Sequence, residues 1–134
     1  MVNVPFAPEA RLMRALAHAE RLAIVACLRS GSACVCHLTA LLRRPQAYVS
    51  QQLAILRTAG LIEPFRDGGF TYYRLADQRV MRLLEQASRL TGAPRDRTRA
   101  GSVHGAERTA AERAAGCGCP RCRPSLAASR RKSA

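Results

Sequence analysis

The sequence predicts a small, mainly α-helical domain with a β-hairpin, and two features support this. A short apolar segment, a turn at 43–45 and an amphipathic segment at 46–61 follow one another, as in a helix-turn-helix. Two β-favouring runs come next, 61–65 and 70–75, and the Asp67-Gly68 step between them is typical of a hairpin. A hairpin in this position is the wing of a winged helix-turn-helix.

The second helix of this motif is predicted to read DNA. Val49, Leu53 and Leu56 recur at helical spacing and define its buried face. The polar residues on its other faces are expected to meet base edges in the major groove, where a Gln can pair bidentately with adenine. The residues predicted to contact bases are Gln46, Tyr48, Ser50 and Gln51, and those predicted to contact the DNA backbone are Arg66 and Arg74 of the wing.

Three further helices are predicted, at 8–17, 20–29 and 78–90. Leu12, Met13 and Leu16 share one face of the first, Gly31 is a candidate C-cap for the second, and Asp77 is a good N-cap for the last. The last helix carries an apolar stripe, and the small core is already filled by the other helices. The sequence therefore predicts a homodimer through the first and last helices. The stripe consists of Val80, Leu83, Leu84, Ala87 and Leu90.

The composition divides the chain near Gly92. Residues 1–91 show helix and strand periodicity and form the predicted DNA-binding and dimerisation domain. Residues 92–134 hold ten of the 22 Lys and Arg residues and almost no large apolar ones. A segment of that kind cannot bury enough surface to order itself, so we expect a flexible, basic, cysteine-containing tail.

The charge favours a polyanionic partner. The formal net charge is +13 and the sequence pI is about 11.1, and Arg side chains that neutralise phosphates release counterions from DNA. No apolar run approaches the roughly 20 residues of a membrane span, and no secretory signal is visible, so we expect a cytoplasmic protein without membrane contact. There is no acid/base pair, phosphate loop or activated nucleophile at a recognisable spacing. This argues against an enzyme, and no organic cofactor is expected.

The cysteines are the second set of candidate functional residues, after those predicted to contact DNA. Cys34 and Cys36 lie immediately before the predicted helix-turn-helix, and Cys27 is expected to be a buried core thiol. In a reducing compartment such cysteines are expected to be free thiols or metal ligands rather than disulfides. A thiolate pair suits As(III), Cd(II), Pb(II) or Zn(II) but leaves the coordination incomplete. On an ideal helix the two side chains would point about 200° apart, so joint binding requires the helix to distort or to begin after Cys34.

The tail contains a second group of cysteines that could complete such a site. They stand in the run Cys117-Gly118-Cys119-Pro120-Arg121-Cys122, where glycine and proline keep the backbone out of a helix. The 25 residues before this run could span roughly 80 Å, so the same subunit and the partner are both within reach. Cys117, Cys119 and Cys122 are therefore candidate co-ligands.

Four segments together resemble the ArsR/SmtB metal-sensing repressors. They are Cys34-Val35-Cys36-His37-Leu38, Val49–Leu53, Leu56–Ile62 and Tyr72-Tyr73-Arg74-Leu75. The resemblance implies a winged-helix dimer that binds its operator without metal and releases it when a toxic ion loads the cysteines. The chain departs from the family pattern at His37, Thr39 and Gln52, where an Asp, a third Cys and a His are common.

The hypothesis is therefore a repressor that binds operator DNA and is released by a thiophilic ion. Two alternatives remain at this level. One shares the fold but senses oxidation of its thiols. The other is a metal-storage or metal-delivery protein in which the tail is the active part.

Overall fold

A computed structural model describes residues 4–92, and these form five helices and a three-stranded antiparallel sheet. The predicted tail lies outside the described residues, apart from Gly92. The sheet order is β1-β3-β2, so β3 is central. In chain order the elements are α1 (Ala7–Leu16), α2 (Ala19–Cys27), β1 (Ala33–Cys34), α3 (Val35–Leu42), α4 (Gln46–Thr58), β2 (Ile62–Asp67), β3 (Phe70–Leu75) and α5 (Arg79–Thr91).

The predicted helices form close to their expected bounds. The second one is shorter than expected, because α2 ends at Cys27 and the chain continues as a 3-10 turn over Leu28–Ser30. Gly31 ends that turn with φ +151°, a backbone conformation that residues with a Cβ rarely adopt. Gly31 is thus a C-cap, as predicted, but of the 3-10 turn rather than of the α-helix.

The wing differs from the prediction in its turn. Strand β2 extends to Asp67, and the two-residue turn is Gly68-Gly69, with φ +57° and +83°. Positive φ at both central residues is the geometry that matches the twist of a tight hairpin. The sequence predicted the hairpin with a four-residue connection at 66–69, and the structure has a shorter turn because β2 continues through Arg66 and Asp67.

The core lies between the helices and one face of the sheet. Val49, Leu53 and Leu56 are at most 1% exposed, which confirms the predicted buried face of α4. In α1, Leu16 is buried, but Met13 is 49% exposed and so does not belong to the core face on which it was placed. Ile24 and Val25 of α2 and Leu38 of α3 complete the centre of the core.

Helix α5 packs on this core through only part of its apolar stripe. Val80 is buried, whereas Leu90 is 89% exposed. Helix α5 begins one residue later than predicted, so its N-cap is Gln78 and not Asp77, and Gln78 makes no side-chain capping bond. The Asp77 side chain still accepts a hydrogen bond from the backbone N–H of Arg79 (2.8 Å), the first residue of the helix. Within residues 4–92, no helix has the length and apolar character needed to cross a membrane.

Candidate metal centre and nucleic-acid interface

The two cysteines meet at the junction of β1 and α3. Cys34 has extended backbone (φ −84°, ψ 164°), and the helix begins at Val35. The break in helical geometry removes the 200° divergence that a continuous helix would impose. The Sγ atoms of Cys34 and Cys36 consequently lie 2.8 Å apart. Of the two geometries considered from the sequence, the structure has the one in which the helix begins after Cys34.

The state of the two sulfurs matters for what they can bind. Their separation exceeds the roughly 2.05 Å of an S–S bond, so Cys34 and Cys36 are not bonded to each other. Cys36 takes part in a disulfide and would have to be reduced before it could bind an ion. Among the described residues, no group of three or more His, Cys, Asp or Glu side chains is placed to hold a metal. Cys117, Cys119 and Cys122 lie outside the described residues.

The sulfur pair sits against the aromatic side chains of the wing. Cys34 is paired with Tyr72 in the ladder between β1 and β3. Both residues are buried and form a small apolar cluster of their own, separate from the main core. Cys36, Phe65 and Phe70 pack against that cluster. Strand β1 was not predicted, because two residues are too short to show the period-2 pattern of a strand.

Helix α4 presents part of its predicted DNA-binding face to solvent. Gln46, Ser50 and Gln51 are exposed, as a base-contacting role requires. Tyr48 was expected to be exposed but is half-buried. The guanidinium carbon of Arg44 lies 5.2 Å from the centre of the Tyr48 ring. Tyr48 is therefore already engaged within the protein.

A charged cluster explains the position of Tyr48. Arg44, in the turn before α4, forms an ion pair with Glu20 at the start of α2 (2.8 Å). The neighbouring Tyr48 hydroxyl lowers the pKa of Glu20, with a further contribution from the Arg44 guanidinium. The Glu20 carboxylate in turn raises the pKa of Tyr48, because a nearby negative charge favours the protonated phenol. These contacts connect the N-terminal end of α4 to α2.

The two wing arginines differ in their surroundings. Arg66 lies near the hairpin tip, is exposed, and donates a long hydrogen bond (3.4 Å) to the Gly69 carbonyl. Arg74 donates to the Glu63 carboxylate on the neighbouring strand (2.7 Å). Its guanidinium carbon also lies 4.9 Å from the centre of the Phe65 ring. An exposed ion pair of this kind contributes little to stability.

Sequence reasoning missed the role of Gln52. This side chain is only 7% exposed, and its Oε1 atom accepts a hydrogen bond from Arg21 of α2 (2.8 Å). Position 52 falls three residues after Val49 and four before Leu56, so helical periodicity places it beside the buried face. The periodicity could have identified the position, but not the partner.

The chain is similar in sequence to several known proteins. The model of a family described as "Bacterial regulatory protein, arsR family" matches residues 18–63. The HTH-type transcriptional repressor SmtB of Mycobacterium tuberculosis (strain H37Rv) is 43% identical over 76 residues, which cover 57% of this chain and 56% of that protein. The match thus spans little more than half of that relative's length.

Further relatives extend the comparison. The biofilm growth-associated repressor of Agrobacterium fabrum is 37% identical over 63% of this chain and 73% of its own length. The arsenical resistance operon repressor of Escherichia coli K12 is 39% identical over 49% of this chain and 57% of its own. A solved homodimeric winged helix-turn-helix DNA-binding domain from Mycobacterium bovis superposes with a TM-score of 0.60. It is 28% identical over 69% of this chain and 91% of that one.

Proposed function

Because the chain belongs to the arsR family of bacterial regulatory proteins, we propose that it is a transcriptional repressor released from operator DNA by a thiophilic ion. The candidate effectors are As(III), Cd(II), Pb(II) and Zn(II), and the proposed location is the cytoplasm, where thiols stay reduced. One observation carries the proposal: the Cys34 and Cys36 sulfurs lie 2.8 Å apart at the start of α3. Helix α3 leads through three residues into the proposed recognition helix α4.

The DNA-binding part of the proposal rests on exposed polar groups and charge. Gln46, Ser50 and Gln51 are available on the surface of α4, and a helix with such residues fits the major groove. Arg66 and Arg74 are assigned to phosphates, and the net charge of +13 adds a sequence-independent contribution. Tyr48 is held beside Glu20, so base contacts are assigned first to the three exposed residues.

The ion-binding part of the proposal rests on the donor set. Two sulfurs in an apolar cluster suit a soft ion, which prefers thiolate to oxygen ligands. Two donors do not complete a three- or four-coordinate site, and we assign the missing ones to Cys117, Cys119 and Cys122 of the tail. A bound ion would hold the Cys34 and Cys36 sulfurs at a separation set by its own bonds. The first turn of α3 would then adjust, and the recognition helix with it.

A homodimer is part of the proposal because α1 and α5 expose apolar side chains. Leu90 on α5 is 89% exposed and Met13 on α1 is 49% exposed. Phe6, directly before α1, is 65% exposed. Burying these side chains against a second copy would remove apolar surface from water. The pseudo-palindromic operator expected for such a dimer would have half-sites about one helical turn apart.

The test is operator binding by the full reduced chain, followed by fluorescence anisotropy as each ion is added. We expect at least one ion to weaken binding by roughly 5- to 150-fold, the usual range of allosteric coupling. Cys34→Ser and Cys36→Ser should bind the operator and lose this response. Cys27→Ala, which removes a thiol outside the site, should keep it. A double variant at positions 34 and 36 that was still released normally would refute the assignment.

Deletion of residues 116–134 tests the tail in the same assay. Complete loss of the response would make the tail cysteines co-ligands. An unchanged response would make them bystanders. A change in which ion is preferred would show that the tail sets the coordination number.

A thiol redox switch is the second candidate, and the sulfur geometry favours it specifically. Cys34 lies next to a sulfur, that of Cys36, which is already in a disulfide. In thiol–disulfide exchange the Cys34 thiolate would attack the Cys36 sulfur, forming a Cys34–Cys36 bond and releasing the former partner as a thiolate. Starting from the reduced chain, a disulfide oxidant would first form the Cys36 disulfide and would itself be reduced to two thiols, and the exchange would follow. This repressor would therefore respond to such an oxidant in the absence of metal. The ion-responsive repressor would respond to ions while fully reduced.

A metal-storage or metal-delivery protein is the alternative function that does not involve regulation of transcription. Its ion binding would leave operator affinity unchanged, and its stoichiometry would follow the tail cysteines. Equilibrium dialysis alongside the anisotropy titration separates it from a sensor, because only a sensor links the two equilibria.

A further inference from the structure

The sulfur pair and a wing arginine lie on the same face of the sheet. The register pairs Cys34 with Tyr72, Tyr72 with Phe65, and Arg74 with Glu63. Directly paired residues in an antiparallel sheet share a face, and positions two apart on a strand return to it. Cys34 on β1 and Arg74 on β3 therefore lie on one face of the sheet, at the two ends of a short row of side chains.

Aromatic contacts connect the ends of this row. The Tyr72 ring, 2% exposed, shares a buried cluster with Cys34. It stacks on the Phe65 ring, with 5.5 Å between the centroids and 27° between the planes. The Arg74 guanidinium carbon lies 4.9 Å from the Phe65 centroid, in a cation–π arrangement. The Cys34, Tyr72 and Phe65 side chains of this row have only one or two rotatable bonds each.

We propose that Tyr72 and Phe65 are positioning residues that couple the sulfur pair to Arg74, so that a change at the sulfurs also moves the DNA-contacting side of the wing. This inference rests on the proposed function and specifies how that site is regulated. It adds a second route to the one through α3 and α4.

The physical reason is that little between Cys34 and the Phe65 ring can absorb a displacement. Strand β1 is two residues long and is hydrogen-bonded to β3, so a shift of Cys34 is passed to its ladder partner. Protein interiors are packed about as densely as organic crystals. A displaced ring therefore pushes the ring packed against it, because there is no free space to take up the movement. Arg74 keeps its position partly through the Phe65 ring, and a tilt of that ring changes where the guanidinium points.

A fluorescent reporter tests the coupling without DNA. The chain contains no tryptophan, so Phe65→Trp creates a single reporter in the wing, and Phe6→Trp creates a matched reporter before α1. On adding Cd(II) to the reduced full chain, we expect the emission of the wing reporter to shift and that of the control to stay constant. The shift should vanish when Cys34→Ser and Cys36→Ser are added. Unchanged wing emission while thiolate-to-metal absorption reports binding would overturn the inference.

A DNA-binding comparison tests the consequence. Arg74→Ala and Arg66→Ala each remove one wing arginine, and Arg74 is the one whose guanidinium lies over the Phe65 ring. We expect the ion-induced loss of operator affinity to be at least threefold smaller in Arg74→Ala than in the wild type and unchanged in Arg66→Ala. Equal responses in all three proteins would overturn the inference and leave the proposed function standing. Failure of the wild type to respond would overturn the proposed function, and the reporter would still decide the coupling.

Discussion

Arg21 of α2 donates a hydrogen bond to Gln52 in the middle of α4, with 2.8 Å between Nη1 and Oε1. The same guanidinium donates to the Ala15 carbonyl (2.6 Å) and the Arg14 carbonyl (3.2 Å) at the end of α1. One side chain thus connects three helices, including the one proposed to enter the major groove. The contact holds the orientation of α4 relative to the body of the domain.

Loss of this contact should destabilise the fold. Gln52→Ala leaves a partly buried guanidinium donor without its acceptor, which costs about 1–3 kcal/mol. Gln51→Ala, at the exposed neighbouring position, should change the free energy of unfolding by less than about 0.5 kcal/mol. Urea denaturation of the two variants measures the difference. Equal stabilities would show that the Arg21 contact contributes little.

The same pair of glutamines should have different effects on DNA recognition. Gln51→Ala should cost on the order of 1–3 kcal/mol of specific binding and relax the base preference at one position of each half-site. A binding selection on randomised operators checks this, with Arg66→Ala as the control. That variant should weaken all sequences alike and reduce the salt slope by about one unit. A Gln51→Ala protein with an unchanged preferred site would contradict the assignment of the base-contacting face.

Removal of Glu63 should strengthen DNA binding. The Glu63 carboxylate lies 2.7 Å from Arg74 Nε and competes with phosphate for it. Because exposed ion pairs are worth roughly 0.2–1 kcal/mol, Glu63→Gln should raise the affinity for any DNA sequence by about 1.4- to 5-fold. Asp67→Asn removes an equal charge at the hairpin tip and should give a smaller gain. Anisotropy at several salt concentrations compares them, and no gain for Glu63→Gln would argue against a phosphate contact by Arg74.

Asp77 predicts a pH dependence of stability. Hydrogen bonds from the Arg79 side chain and backbone lower the pKa of Asp77 from 3.8 to about 2. A carboxylate whose pKa is lower in the folded state stabilises that state above the unfolded pKa and loses this contribution as pH falls. The stability advantage of the wild type over Asp77→Asn should therefore be constant above about pH 4 and shrink toward pH 2. Thermal melts across this range test it, and a constant difference would contradict the shift.

Truncation of Leu90 should weaken the proposed dimer. This side chain is 89% exposed on α5, and an apolar anchor at an interface costs more than about 1 kcal/mol when removed. Leu90→Ala should raise the dimer dissociation constant by roughly fivefold or more. Arg89→Ala, the adjacent exposed residue, should leave it nearly unchanged. Sedimentation equilibrium gives both constants, and equal values would place the interface elsewhere.

The sequence by itself determined the order of the elements and the buried face of α4. Val49, Leu53 and Leu56 repeat with the helical period, and the positive φ that a tight hairpin turn requires points to glycine, so both signals are local. The sequence also identified Cys34 and Cys36 as candidate ligands, because two thiols separated by one residue lie directly before the predicted helix-turn-helix.

Tertiary structure alone decided how these parts meet. Strand β1, the contact of Cys34 with Tyr72 and the row that ends at Arg74 depend on pairing between segments about 40 residues apart. The burial of Gln52 and the half-burial of Tyr48 depend on partners, Arg21 and Glu20, that lie on another helix. Local periodicity says which face of an element is apolar. It does not say which polar side chain from elsewhere will satisfy a buried group on that face, since that depends on how the helices pack.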